Sequence, residues 1–191
     1  YYQPTGLVKE GVVVVTVDYR LGKLGFFAPK ELSQEAKNNG EPVGNYVTMV
    51  WWDDLWLNEG FASWMAAKAT EAVHPDWHPW MAQLTDGTST AMALDARQGT
   101  HPVVQNVNTI DEANLAFDTI TYEKGLAVIR MLEAYVGEDN FRTGVRNYLN
   151  SHAYGNARTE DLWSAVQAAS GQPVLDIARS FTGQPGLPLI T

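Results

Sequence analysis

The side chains able to do chemistry fall into a few groups. His74 and His78 frame His-Pro-Asp-Trp-His, an i,i+4 spacing that on a helix brings two imidazoles to one face, as a metal pair requires. The second position is Pro75 and Pro79 follows, so a Pro-rich helix entry at the surface is the simpler expectation. Ser89, in Gly87-Thr88-Ser89-Thr90-Ala91, approaches the G-x-S-x-G nucleophile turn but lacks its last glycine and sits between helical segments rather than after a strand. Asp53 and Asp54 are adjacent carboxylates placed just before a helix, where they read as N-terminal capping charge rather than an acid–base pair. His101, before Pro102, and His152, after a helix, read as structural or solvated. Trp51, Trp52, Trp56 and Trp64 read as core rather than as a ligand platform. There is no cysteine, which excludes disulfides, thiolate zinc sites, iron–sulfur clusters and a Cys nucleophile.

The elements that must position these groups change character along the chain. Residues 11–28 read as β: Val12 to Val17 is a continuous run, mostly β-branched, of the kind buried on both faces of a sheet. Residues 34–45 are polar and glycine-containing and read as a loop. After residue 50 the periodicity is helical. Leu57, Phe61, Trp64 and Met65 share one face; Ile120, Val128, Met131, Leu132 and Tyr135 share a second; Phe141, Val145, Tyr148 and Leu149 share a third, closed by Gly155. Thr159 reads as an N-cap with Glu160 and Asp161 at the positive end of the dipole; Leu162, Trp163 and Val166 form the buried side, and Gly171 stops that helix. The expected fold is mainly α, preceded by a short β segment, with a boundary that divides 1–43 from 44–191.

The chain has 191 residues and a net charge of −9, from 13 Lys plus Arg against 22 Asp plus Glu. That balance gives no attraction for a phosphate backbone or an anionic membrane, so neither nucleic acid nor membrane is an expected partner. Val12 to Val17 is too short to span a bilayer, and no signal-peptide pattern is present; the expectation is a soluble chain of unassigned compartment. A chain beginning at Tyr1 reads as a fragment.

The stretch GNYVTMVWWDDLWLNEGFASW (44–64) closely resembles the alanyl-aminopeptidase-like family of zinc metallopeptidases, the gluzincins. So do FDTITYEKGLAVIRMLEAYVGEDNFRTGV (117–145), HAYGNARTEDLW (152–163) and ARSFTGQPGLPLI (178–190), so the resemblance covers about 44–190. It implies the helical second half of a thermolysin-like catalytic domain, a zinc cofactor and a peptide substrate. It implies that Glu59, in WLNEGF, is the third zinc ligand and that Tyr122, in ITYEKG, is the phenol that donates to the oxyanion of the tetrahedral intermediate. Gly125 would let another backbone approach closely. The family's HExxH lies eighteen residues before the third ligand, which places it at 36–40. The residues there are Ala36, Lys37, Asn38, Asn39 and Gly40, so both histidine ligands and the general-base glutamate are absent, as is the family's upstream glycine-rich segment.

Residues 9–46 resemble a different family, the type-B carboxylesterases of the α/β-hydrolase fold, in which a VVVTVNYRLG-like strand precedes a loop ending in GNY. Gly44 and Asn45 belong to both texts, so the chain reads as a chimera joined there. Three expectations follow: an aminopeptidase-derived fragment left inactive by the missing HExxH, a carboxylesterase-type serine hydrolase fragment, or a non-catalytic scaffold. Val12 to Val17 without a sheet, and helices without their zinc-bearing neighbour, also suggest an exposed apolar patch and self-association.

Overall fold

The computed structural model of the chain describes residues 47–188. The β stretch expected at 11–28, the loop at 34–45, the carboxylesterase-like text and the boundary at 43/44 lie outside them. The described part is mainly α, as expected. Strand β1 (Val47–Met49) and a single 3-10 turn (Trp52–Asp54) lead into α1 (Trp56–Val73). A second 3-10 turn (Pro75–Trp77), α2 (Pro79–Ala82), a π-helical segment (Gln83–Thr88) and α3 (Ser89–Asp95) follow. After a loop come α4 (Ile110–Leu115), a π-helical turn (Ile120–Lys124), α5 (Gly125–Val136) and α6 (Glu138–Ser151). Strand β2 (Gly155–Ala157), α7 (Thr159–Ser170) and α8 (Val174–Thr182) complete the order. The two strands pair in parallel, Val47 opposite Gly155, Thr48 opposite Asn156 and Met49 opposite Ala157. Three-residue strands leave no periodicity to read, and the sequence reading had neither.

The helices bury what their periodicity predicts, with one rotation. In α1 the buried residues are Trp56, Leu57, Gly60 and Trp64, while Met65 is exposed and Phe61 half-buried: the stripe sits about one residue earlier than expected. In α5, Val128 and Leu132 are buried with Leu126, Ile129 and Val136, and Tyr135 is exposed. Phe141, Val145 and Tyr148 of α6 and Leu162, Trp163 and Val166 of α7 are buried as expected. Gly171 ends α7 at φ +69°, a left-handed position that favours glycine. α6 ends at Ser151, and Gly155 belongs to β2 rather than to the end of the helix. These side chains share one core, centred on Trp56 stacked against Trp163 with ring centroids 5.6 Å apart.

Three capping expectations are corrected. Thr159 does not cap its own helix: its hydroxyl donates to Asp54 Oδ1 at 2.5 Å and accepts from Trp56 Nε1 at 2.8 Å. The Arg158 amide instead donates to Asp161 Oδ2 at 2.7 Å. Asp53 and Asp54 do not cap α1 either: Asp53 Oδ1 accepts from the Val107 amide at 2.7 Å, and Asp54 is buried against Thr159. Burial raises the Asp54 carboxyl above its ordinary value, against the lowering effect of the Thr159 hydrogen bonds. Each of these polar groups has a tertiary partner that satisfies it better than a helix end would. The Trp expectation divides: Trp56 and Trp64 are core, but Trp51 is 55% exposed and donates from Nε1 to the Val107 carbonyl.

At Gly144, α6 packs tightly against α7. A Cβ on Gly144 would lie 2.6 Å from Val166 Cα, a backbone atom that cannot swing away. Gly144→Ala is expected to destabilise the fold by about 1–3 kcal/mol. Gly99→Ala, where a Cβ meets nothing within 4 Å, should change stability by less than about 0.5 kcal/mol. Urea unfolding midpoints of the two variants check this; equal midpoints would refute the contact.

Candidate functional site

Glu59 lies one turn into α1, and Tyr122 lies in the π-helical turn that runs straight into α5. What brings them together is glycine. A Cβ on Gly60 would meet Gly125 Cα, Gly125 C and the Thr121 carbonyl oxygen, each at 3.1 Å. A Cβ on Gly125 would meet Gly60 Cα at 3.4 Å and the Trp56 ring at 3.5 Å. The close backbone approach expected at Gly125 is therefore present, and its partner is the residue next to Glu59. Across this crossing the Tyr122 phenol lies near enough to the Glu59 carboxylate to be influenced by it. Burial and the neighbouring Glu59 carboxylate push the Tyr122 phenol up to about 12, so it remains protonated and able to donate at neutral pH. π-Helical turns of this kind recur at functional sites.

The Tyr122 turn is braced from three further directions. Asp118 Oδ1 accepts from the Ile120 and Thr121 amides at 3.0 Å each, which opens the turn. The Gln83 side-chain amide donates to Glu123. Lys124 Nζ lies 2.7 Å from Asp95 Oδ2 and donates to the Gln184 carbonyl oxygen at 3.1 Å, tying the turn to the end of α3 and to the tail beyond α8. Asp95 Oδ1 also accepts from the Gly186 amide and the Thr100 hydroxyl, at 2.8 Å each. Burial alone would raise the Asp95 carboxyl; Lys124, Gly186 and Thr100 outweigh it and hold it below its ordinary value. None of these braces is among the residues whose types or spacing suggest chemistry. Asp118, three residues before Thr121, carried a readable N-terminal capping signal; Asp95 and Lys124 are too far apart in sequence to suggest each other.

The remaining candidates are elsewhere. His74 and His78 are exposed beyond the end of α1, His74 stacked on Trp77 at 4.3 Å, which is the surface role expected of them. His152 Nδ1 lies 3.0 Å from the Tyr148 carbonyl oxygen. Ser89 is at the start of α3, exposed, with its hydroxyl donating to the Thr85 carbonyl of the same helical run. Among the described residues no three His, Cys, Asp or Glu side chains are grouped as a metal would need. The whole chain has four histidines, and none begins HExxH.

The Peptidase family M1 domain matches residues 41–181. The chain belongs to the M1 peptidase family. The M1 chain is 46% identical over 147 residues to Aminopeptidase M1-B of Oryza sativa subsp. japonica, an alignment covering 77% of this chain and 17% of the rice protein. It is 45% identical over 148 residues to Aminopeptidase M1 of Arabidopsis thaliana, covering 78% and 17%. It is 44% identical over 148 residues to Aminopeptidase 2, mitochondrial, of Saccharomyces cerevisiae, covering 78% and 16%. The M1 chain thus spans about a sixth of the length of the curated relatives it matches. Zinc is the metal of this family. Among the described residues the donors do not fit it: Glu59 belongs to no group of three metal-binding side chains, and of the four histidines His74 and His78 lie exposed beyond α1, His101 lies against Asp118 and His152 against the Tyr148 carbonyl.

The Asp95–Lys124 pair holds the Tyr122 turn, with its side chains 1% and 10% exposed. Lys124→Met leaves a buried carboxylate without its cation and is expected to cost about 3–5 kcal/mol. Asp95→Leu combined with Lys124→Met should recover most of that. Because the Asp95 value is lowered in the fold, the wild-type contribution is present above the ordinary carboxylate value of 3.8 and fades as pH falls through the lowered one. Thermal unfolding of the three proteins between neutral pH and acid tests both statements.

Proposed function

We propose that this chain carries the carboxylate-and-phenol half of an M1 aminopeptidase site: Glu59 in the position of the third zinc ligand and Tyr122 in that of the oxyanion donor. The observation that carries the reading is the Gly60–Gly125 crossing, which brings the Tyr122 phenol under the influence of the Glu59 carboxylate. Two residues distant in the chain and matching two family motifs are held against each other by the closest approach of α1 and α5. The expected substrate is the N-terminal end of a peptide, in keeping with relatives named aminopeptidases.

The chain alone does not supply the hydrolysis. Zinc in this family is held by three ligands, and a lone carboxylate oxygen neither fixes the ion nor leaves a base to take a proton from water. At 36–40 stands Ala-Lys-Asn-Asn-Gly. We read residues 9–46 as carboxylesterase-like text in the place of the family's upstream half. What Glu59 and Tyr122 retain is position. The protonated phenol beside the carboxylate is the donor an oxyanion would meet.

A serine-hydrolase reading has less support, because the Ser89 hydroxyl is directed into its own helical run, with no histidine among its contacts. Elemental mass spectrometry after zinc loading and dialysis separates the readings. The expected result is no zinc above a Glu59→Ala control, no release of p-nitroaniline from alanine p-nitroanilide, and no labelling by a fluorophosphonate probe. About one zinc per chain, lost in Glu59→Ala, would overturn the half-site reading in favour of a rebuilt metal centre.

A further inference from the structure

The loop between α3 and α4 passes beside the Tyr122 turn, and one of its side chains reaches across. His101 Nε2 lies 2.6 Å from Asp118 Oδ2, and Nδ1 lies 2.7 Å from the Pro102 carbonyl oxygen. Both neighbours are acceptors. A carbonyl has no proton to give, and an ionised carboxylate has none either, so each ring nitrogen must carry one. The imidazolium satisfies both contacts; either neutral tautomer points a lone pair at an oxygen. The second carboxylate oxygen of Asp118 receives the Ile120 and Thr121 amides, and its backbone carbonyl receives the Tyr122 amide at 3.1 Å. Asp118 is therefore shared between a cation on the loop and the first turn that carries Tyr122.

The loop is itself anchored. The Val104 amide donates to the Thr182 carbonyl at 2.9 Å, Val103 is 1% exposed, and the Val107 amide is held by Asp53 just before the Glu59 helix. His101 thus links a fixed loop to the turn, rather than a free side chain to it.

We propose that the His101 imidazolium is a positioning residue that acts through Asp118 to fix the turn setting the Tyr122 phenol against Glu59. It rests on the reading of that pair as the half-site. An ionised, paired carboxylate is the stronger acceptor for the two opening amides, and the His101 bridge prevents Asp118 from turning away from them. The charged groups facing His101 are Asp118 directly and Asp95 at the end of α3, whose own charge is matched by Lys124. The Asp118 hydrogen bond raises the His101 value above 6.5, against burial, and the Pro102 carbonyl adds to it. Burial alone would raise Asp118; His101 and the Thr121 amide outweigh it and hold the carboxyl below 3.8. A raised histidine contributes fully below its unfolded value and loses its contribution as pH rises through the folded one. A lowered carboxylate contributes above its unfolded value and fails only in acid. The bridge is therefore complete between the lowered Asp118 value and the raised His101 value, and it opens on the alkaline side of the latter.

Amide hydrogen exchange and histidine and tyrosine resonances of the full chain, followed by NMR from about pH 5 to about pH 9, test this. In the wild type, the Ile120 and Thr121 amides are expected to lose about tenfold of their protection as the His101 resonance titrates, beyond the ordinary base-catalysed rise. The Tyr122 ring resonance should move in the same step. In His101→Gln the step should be absent and protection low throughout. Asp118→Asn keeps an oxygen for the two amides and offers N–H to a neutral His101, so it should retain protection with no alkaline step. A purely structural bridge would lose protection in both variants alike. Amides with no step at the His101 titration overturn the proposal, even where Glu59→Gln moves the Tyr122 resonance. A Tyr122 resonance indifferent to Glu59→Gln overturns instead the reading of the pair on which the positioning role depends.

Discussion

Helices approach to backbone contact where a side chain is missing, and the placement of Glu59 and Tyr122 turns on a place where both helices lack one. Gly60 of α1 and Gly125 of α5 face each other so closely that a Cβ on the first would stand 3.1 Å from the backbone of the second. Everything flanking that point is set by it. Glu59 and the turn bearing Tyr122 come near enough for the carboxylate to influence the phenol. Trp56, one turn before Gly60, lies over Gly125 and presents its other surroundings to Trp163, which brings α7 onto the same core. Any side chain at the crossing would move the axes apart and take Glu59 and Tyr122 with them.

The polar interior follows from the same closeness. Burying a carboxylate is costly unless it is paired or hydrogen-bonded, and the fold answers in two places with residues far apart in the chain. Asp54 meets Thr159, whose hydroxyl also holds the Trp56 indole. Asp95 meets Lys124, Thr100 and Gly186. The first contact and the two-stranded sheet are one unit. β1 runs into the turn carrying Asp54, β2 runs into Thr159, and the parallel register of Met49 with Ala157 delivers both groups to the same end.

What could be read from the sequence divides along the same physical line. Helical periodicity is local, so the buried faces of α5, α6 and α7 were legible, and Gly171 announced its own stop. Capping is also local, but it competes with tertiary partners: Thr159, Asp53 and Asp54 all carried the correct side chains for helix ends and were taken by distant groups instead. The box formed by Thr109 and Glu112 at the start of α4 had the local pattern and kept it, because that helix start is exposed and nothing competes. The site was legible only through family motifs. Nothing in the spacing of Glu59 and Tyr122 says that they touch; Gly125 signalled a close approach, and its partner Gly60 gave no separate sign. The π-helical turn is silent in sequence because ITYEK is ordinary helix-compatible text.

Position and chemistry separate in this chain. The contacts that place Glu59 and Tyr122, namely the glycine crossing, the Asp118 opening of the turn and the Lys124–Asp95 tie, all lie within the described residues and need no histidine from an HExxH. Preorganisation is the part of catalysis that a fold supplies in advance, and here the fold supplies it. The charge that would act on a substrate is the part that donors must assemble, and a single carboxylate does not assemble it. The neighbouring carboxylate has a second effect: with burial, it keeps the Tyr122 proton in place up to about 12. A phenol so held is a donor at neutral pH. On the half-site reading proposed above, the fold keeps the geometry of Glu59 and Tyr122, and the chemistry is the part that further ligands would have to bring.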